Sequence, residues 1–126
     1  MTRPILYKAT PEGNFEFTEQ DYIEYDAMVA QFEAQKPQMI KNEIINNTQR
    51  RLDEFAKTRG YDGILSACTY ASSKITKFAT EGQKAVDLRD QTWGFLFEYM
   101  AEVEAGTKPM PTGYADVESL LPVLTW

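Results

Sequence analysis

Apolar residues recur at three- and four-residue steps through most of this chain, and only near the N-terminus does the pattern shorten to that of strands. Ile5 to Tyr7 and Asn14 to Phe17 are β-prone runs on either side of Thr10-Pro11-Glu12-Gly13, which predicts a small hairpin. With such short arms it has to lean on another element, because an isolated two-stranded ribbon is marginal in water. Thr18 is placed to cap a first helix, since its hydroxyl can accept a backbone N–H and Glu19 and Asp21 put negative charge in the first turn. Tyr22, Tyr25, Val29 and Phe32 then form one apolar stripe, while Glu24, Asp26, Gln31 and Glu33 fall mostly elsewhere. Pro37 predicts a stop or a kink, because proline lacks the donor and crowds the preceding turn.

A second helix resumes near Gln38 and turns Ile40, Ile44, Leu52, Phe55 and Ala56 toward a core, with Ile45 at the border of the stripe and Asn46-Asn47 marking a bend. Gly60 is its expected C-cap, with Lys57 and Arg59 in the last turn beside the negative end of the dipole. Asp62 is placed to cap a short helix of small residues holding Ile64, Leu65, Ala67, Cys68 and Ala71, which would allow a neighbouring helix to approach closely. After Ser72-Ser73-Lys74, a long helix is predicted from Ile75 or Thr76 to Ala105, with Phe78, Val86, Arg89, Trp93, Leu96, Phe97, Met100 and Val103 on one side. Gly82 interrupts it, which suits tight packing, and Gly106 ends it. The segment Thr107 to Gly113 reads as an extended linker because of its two prolines, and a short helix from Tyr114 to Leu121 precedes an apolar ending. The expectation is a mainly α fold: a small helical bundle with an N-terminal β-hairpin and an extended C-terminal tail.

Composition narrows what such a bundle does. At 126 residues, with 43% apolar, 13% aromatic and 25% charged side chains, the chain has the make-up of a globular domain and not of a disordered tail. Its net charge of -6 works against nucleic acid, which is bound by clustered Lys and Arg displacing counterions. No apolar run is long enough to span a bilayer, and Met1 to Lys8 has no continuous apolar centre of the signal-peptide kind, so the product is expected to begin in a cytoplasm. The lone Cys68 fits a reducing compartment. The absence of histidine removes the usual general base near neutral pH, the His-paired nucleophiles and most transition-metal sites, so no enzyme, metal or cofactor is expected.

Asp62, Asp87, Asp90, Glu98 and Glu102 could supply a carboxylate pair, but helical spacing puts most of them on a solvated flank. Cys68, between small apolar residues, reads as a core residue more readily than as a reactive thiol. The aromatic cluster is more informative. Trp93 has Phe95, Phe97 and Tyr99 spreading beyond one face, the mark either of a central bundle helix or of a partner-facing patch. The apolar ending has the same two readings, since it can fold back on the bundle or dock into another chain. Candidate partner-binding residues are therefore Tyr7, Phe15 and Phe17 in the hairpin, Trp93 and Tyr99 in the long helix, and Leu121, Leu124 and Trp126 at the end.

Several short motifs carry a family resemblance: Arg59-Gly60-Tyr61-Asp62, Ser66-Ala67-Cys68-Thr69-Tyr70-Ala71, Phe78-Ala79-Thr80-Glu81-Gly82, Arg89-Asp90-Gln91-Thr92-Trp93, and Glu102 to Pro111. With these, the stretch from Asn47 to Trp126 resembles the C-terminal domain of small proteins encoded beside tail-fibre genes in tailed bacteriophages, described as tail-fibre assembly chaperones or accessory tail proteins. The resemblance implies two parts: residues 1–46, a variable hairpin and helix that adapts to its own fibre, and residues 47–126, a helical domain with an apolar tail. It also implies a non-enzymatic role in the host cytoplasm, binding a trimeric fibre protein and assisting its folding, trimerisation or attachment, with no nucleic-acid or membrane partner. The alternative is a permanent component of the virion tail, baseplate or collar; self-association is left open. No residue role of the family is carried over.

Overall fold

In the computed structural model, which describes residues 4–126, the elements run β1 (Tyr7–Thr10), β2 (Gly13–Glu16), α1 (Glu19–Lys57), α2 (Ile64–Thr69), a 3-10 turn (Tyr70–Ser72), α3 (Thr76–Glu104) and α4 (Ala115–Glu118). The fold is mainly helical, 66%, with four helices among the described residues and the N-terminal antiparallel hairpin that the apolar pattern predicts. The reading of the first eight residues as lacking a signal-peptide centre falls partly on Met1–Arg3, outside the described residues.

Pro37 does not end the first helix. α1 continues through it from Glu19 to Lys57, so the two helices expected on either side are one. A proline inside a helix costs about 3 kcal/mol through its missing donor and the crowding of the preceding turn, and the helix continues across it nonetheless. Asn46-Asn47, where a bend was expected, lies inside the same continuous helix, and the Asn47 side-chain Nδ2 donates to the Glu43 carbonyl at 2.8 Å.

By its contacts the chain divides into two compact units between Pro37 and Gln38. Ile40 and Ile44 are buried in a core of the second unit.

In the first unit, β1 and β2 pair with Tyr7 opposite Glu16 and Lys8 opposite Phe15, about a Pro11-Glu12 turn. The strands sit two residues nearer the turn than expected on the first arm and one on the second, and the Phe17 amide extends the ladder to the Leu6 carbonyl at 2.8 Å. One face of the ribbon leans on the start of α1. The Leu6 amide donates to the Tyr22 hydroxyl at 3.1 Å, Phe17 meets the Tyr22 ring edge-on at 5.3 Å, and Lys8 Nζ lies 2.8 Å from Asp21 Oδ2. Thr18 caps α1 as expected and does so reciprocally: its hydroxyl accepts from the Asp21 amide, while the Asp21 carboxylate accepts from the Thr18 amide at 2.8 Å. The Lys8 ammonium, and then the Thr18 amide, hold the Asp21 carboxyl down at about 2.

In the second unit, the last turns of α1 run antiparallel to α3. Lys41 pairs with Glu104 at one end and Arg59 with Glu81 at the other, both through contacts of 3.2 to 3.3 Å. Two apolar clusters fill the space between. Leu52, Ala56, Tyr61, Ile64, Ala67, Cys68 and Ala85 form one; Ile40, Ile44, Leu96, Tyr99, Val117 and Leu121 form the other; Trp93 packs against both.

Both long helices close on a glycine in the left-handed region. Tyr61 N–H reaches the Ala56 carbonyl and Gly60 N–H the Lys57 carbonyl, and Thr107 and Gly106 repeat the pattern at the end of α3. Gly82 is buried where α3 crosses the 3-10 turn, and a Cβ there would stand 2.3 Å from the Ala71 amide nitrogen. The expected small-residue contact is therefore backbone against backbone.

Asp62 does not cap α2. The Ile64 amide is bonded instead by the Asp53 carboxylate of α1 at 2.9 Å, and Asp62 is exposed. Tertiary placement brought a better-aimed acceptor than the neighbouring residue. α4 is also shorter than expected, one turn from Ala115 to Glu118, preceded by Thr112, whose amide and hydroxyl both donate to the Asp116 carboxylate and lower its pKa.

Candidate functional site: an apolar groove between α1 and α3

Two antiparallel helices of the second unit leave their apolar stripes incompletely covered on one side, and a groove of about 570 Å³ results. α1 lines it with Lys41, Ile44 and Ile45. α3 supplies Trp93, Leu96, Phe97, Met100, Ala101 and Glu104, so the groove follows about three turns, or about 17 Å, of that helix. Ile44 and Leu96 are its buried floor, continuous with the second core cluster. Ile45 and Phe97 stand at the rim, and Phe97 is 79% exposed. The Lys41–Glu104 ion pair sits among the lining side chains toward the C-terminal end of α3.

Apart from Lys41 and Glu104 the lining is apolar, and such a concave surface can remove an apolar surface from water. The carboxylates named from the sequence do not gather around it as a pair. Asp62, Asp87, Asp90 and Glu98 are exposed, Asp90 bonded by Arg89 and Asp87 by Gln83, while Glu102 is engaged by Lys108 at 2.6 Å. Cys68 is buried and its thiol is pushed up by that burial, the opposite of the shift a nucleophilic thiol needs. Among the described residues no group of three or more His, Cys, Asp or Glu could hold a metal ion, and no helix is long and apolar enough to cross a membrane.

The candidate partner-binding residues are scattered by the fold. Trp93 lines the groove. Tyr7 and Phe15 are exposed but point to opposite faces of the hairpin, since Tyr7 shares its face with Glu16 and Phe15 with Lys8. Phe17 is half-buried against Tyr22 and Tyr25. Tyr99 is buried in the second cluster, with the Lys108 ammonium 5.0 Å from its ring centre. Tyr99 is thus taken up in the chain's own core.

The C-terminal ending folds back on the same chain. Leu121 is buried, and Leu124 packs against the first cluster. Trp126 stacks on Phe55 at 4.3 Å, donates its indole N–H to the Thr58 hydroxyl at 2.9 Å and lies 5.4 Å from the Arg59 guanidinium. Of the two readings open for this segment, packing in cis is the one observed.

Phe97, Ile45 and Met100 complete the groove and were not among the named candidates. Their signal was present: Ile45 lies at the edge of the α1 stripe, and Phe97 belongs to the aromatic run that overflows one face of α3. What the pattern lacked was the identity of the side left open.

These features define a helical scaffold with an open apolar groove. No protein-family profile, curated protein or solved structure matches the chain.

Proposed function

We propose that this protein is a non-enzymatic phage tail-fibre assembly chaperone, which binds the fibre polypeptide and assists its folding, trimerisation or attachment. The groove between α1 and α3 carries the reading, because an open apolar surface rimmed by a 79% exposed Phe97 is suited to shield an apolar segment of another chain. The motif resemblance between Asn47 and Trp126 supplies the kind of partner. Fibre tips rich in non-local β pairing fold slowly and expose sticky edges meanwhile, which gives such shielding a purpose.

Co-expression with the neighbouring fibre gene tests it. The expected result is a soluble fibre trimer that the fibre gene alone does not yield, with Phe97→Glu abolishing the effect while leaving the chaperone folded. Equal fibre solubility without this protein overturns the reading. Stoichiometric copies in purified virions, found by mass spectrometry, would replace it with a permanent tail component.

A further inference from the structure

The first unit holds a second apolar surface, independent of the groove. Tyr25, Met28, Val29 and Phe32 follow the i, i+3, i+4, i+7 spacing that aligns side chains on one helix face. They are 37%, 58%, 38% and 49% exposed, and from Ile23 to Lys36 every residue of α1 is exposed. Beyond the contact of the Tyr25 ring with Phe17, this stretch has no buried side chain to stabilise it, and helical turns are marginal on propensity alone. Covering this face would stabilise it.

The charges say what covers it. Between Glu19 and Lys36 the helix carries five carboxylates, Glu19, Asp21, Glu24, Asp26 and Glu33, with Asp21 engaged by Lys8, against one cation of its own, Lys36, which lies on the stripe one turn after Phe32. At 3.6 residues per turn, Glu24 lies on one flank of the stripe and Asp26 and Glu33 on the other. A second copy laid parallel on this face would set carboxylates against carboxylates, and an antiparallel one would offer them a single cation, Lys36. Anionic lipid and nucleic acid are repelled for the same reason. We propose that this face of α1 docks an amphipathic helix of another protein, one that brackets its apolar stripe with Lys or Arg. Flanking charges of this kind decide which helices pair.

The test uses the full chain and two fluorescently labelled synthetic peptides of about 21 residues, three heptads each, with Leu at the core positions and either Lys or Glu at the flanking ones. Anisotropy should show saturable binding of the lysine peptide, weakening as salt is raised, and none of the glutamate peptide. Phe32→Ala should weaken binding about tenfold or more. The double variant E24K/E33K should reverse the preference between peptides, while Phe97→Glu, in the other unit, should leave binding unchanged. That last variant separates this proposal from the groove. Equal binding of both peptides, no saturable binding of the lysine peptide, loss of binding in Phe97→Glu, or a concentration-dependent dimer of the free protein that Phe32→Ala abolishes would each overturn it.

Discussion

The two halves of α1 carry the same apolar rhythm and meet opposite fates. Ile40, Ile44, Thr48, Leu52 and Ala56, each four residues from the next, are the buried residues of the helix, and all lie after Pro37. Tyr25, Met28, Val29 and Phe32 line one face before it at three- and four-residue steps, and all are exposed. The difference is one of neighbours. Gln38 to Lys57 has α3 and the C-terminal segments opposite its stripe, whereas among the described residues the first unit offers the early turns of the helix only a hairpin, which engages Asp21, Tyr22 and Tyr25. Periodicity specifies a face, and burial requires something to cover it.

The strongest way to break that comparison is to truncate matched residues on the two halves. Leu52→Ala should lower the unfolding free energy by about 2–5 kcal/mol, since the side chain is fully buried and a cavity remains. Phe32→Ala, at a half-exposed site, should change it by no more than about 0.5 kcal/mol. Urea denaturation of both variants decides, and equal losses would mean that the early face is covered within the chain.

Adding one methyl at Gly82 should destabilise by about 3 kcal/mol, because the clash is with the Ala71 backbone and not with a flexible side-chain end. Trp126→Ala should cost about 2 kcal/mol in thermal or urea unfolding through loss of the Phe55 stack and its buried area. Unchanged stability there would show that the ending adds nothing to the second unit.

Smaller effects belong to the first unit. Thr18→Ala removes a cap worth about 1 kcal/mol, and faster amide exchange confined to the first turn of α1 should report it. The Asp21 carboxyl titrates at about 2 against an ordinary 3.8, so its contacts favour the ionised form. Its contribution is complete above about pH 4 and is lost as pH falls through 2. Carboxyl NMR should show this low titration in the parent chain and its return toward 3.8 in Lys8→Ala.

Local chemistry was legible where it acts over one turn. Thr18 caps α1, Gly60 and Gly106 close the long helices, and the hairpin forms around its turn. It misled where one local signal stood for a whole element. Pro37 read as a stop or a kink because proline lacks the donor and crowds the preceding turn, but α1 continues through it. Asp62 read as a cap because it adjoins α2, yet Asp53, remote in sequence and near in space, takes the role. The groove was half legible, Trp93 being named and Phe97, Ile45 and Met100 passed over.

By itself the amino-acid order determined the helices, their closures, the hairpin and the alternation of greasy and polar flanks, because these depend on contacts within a few residues. Only the tertiary structure decided which greasy flanks are covered. Tyr99, Leu121 and Trp126 packed inward while Phe97 and the early face of α1 stayed open, since burial depends on which distant segment arrives opposite, and no spacing along a single helix records that.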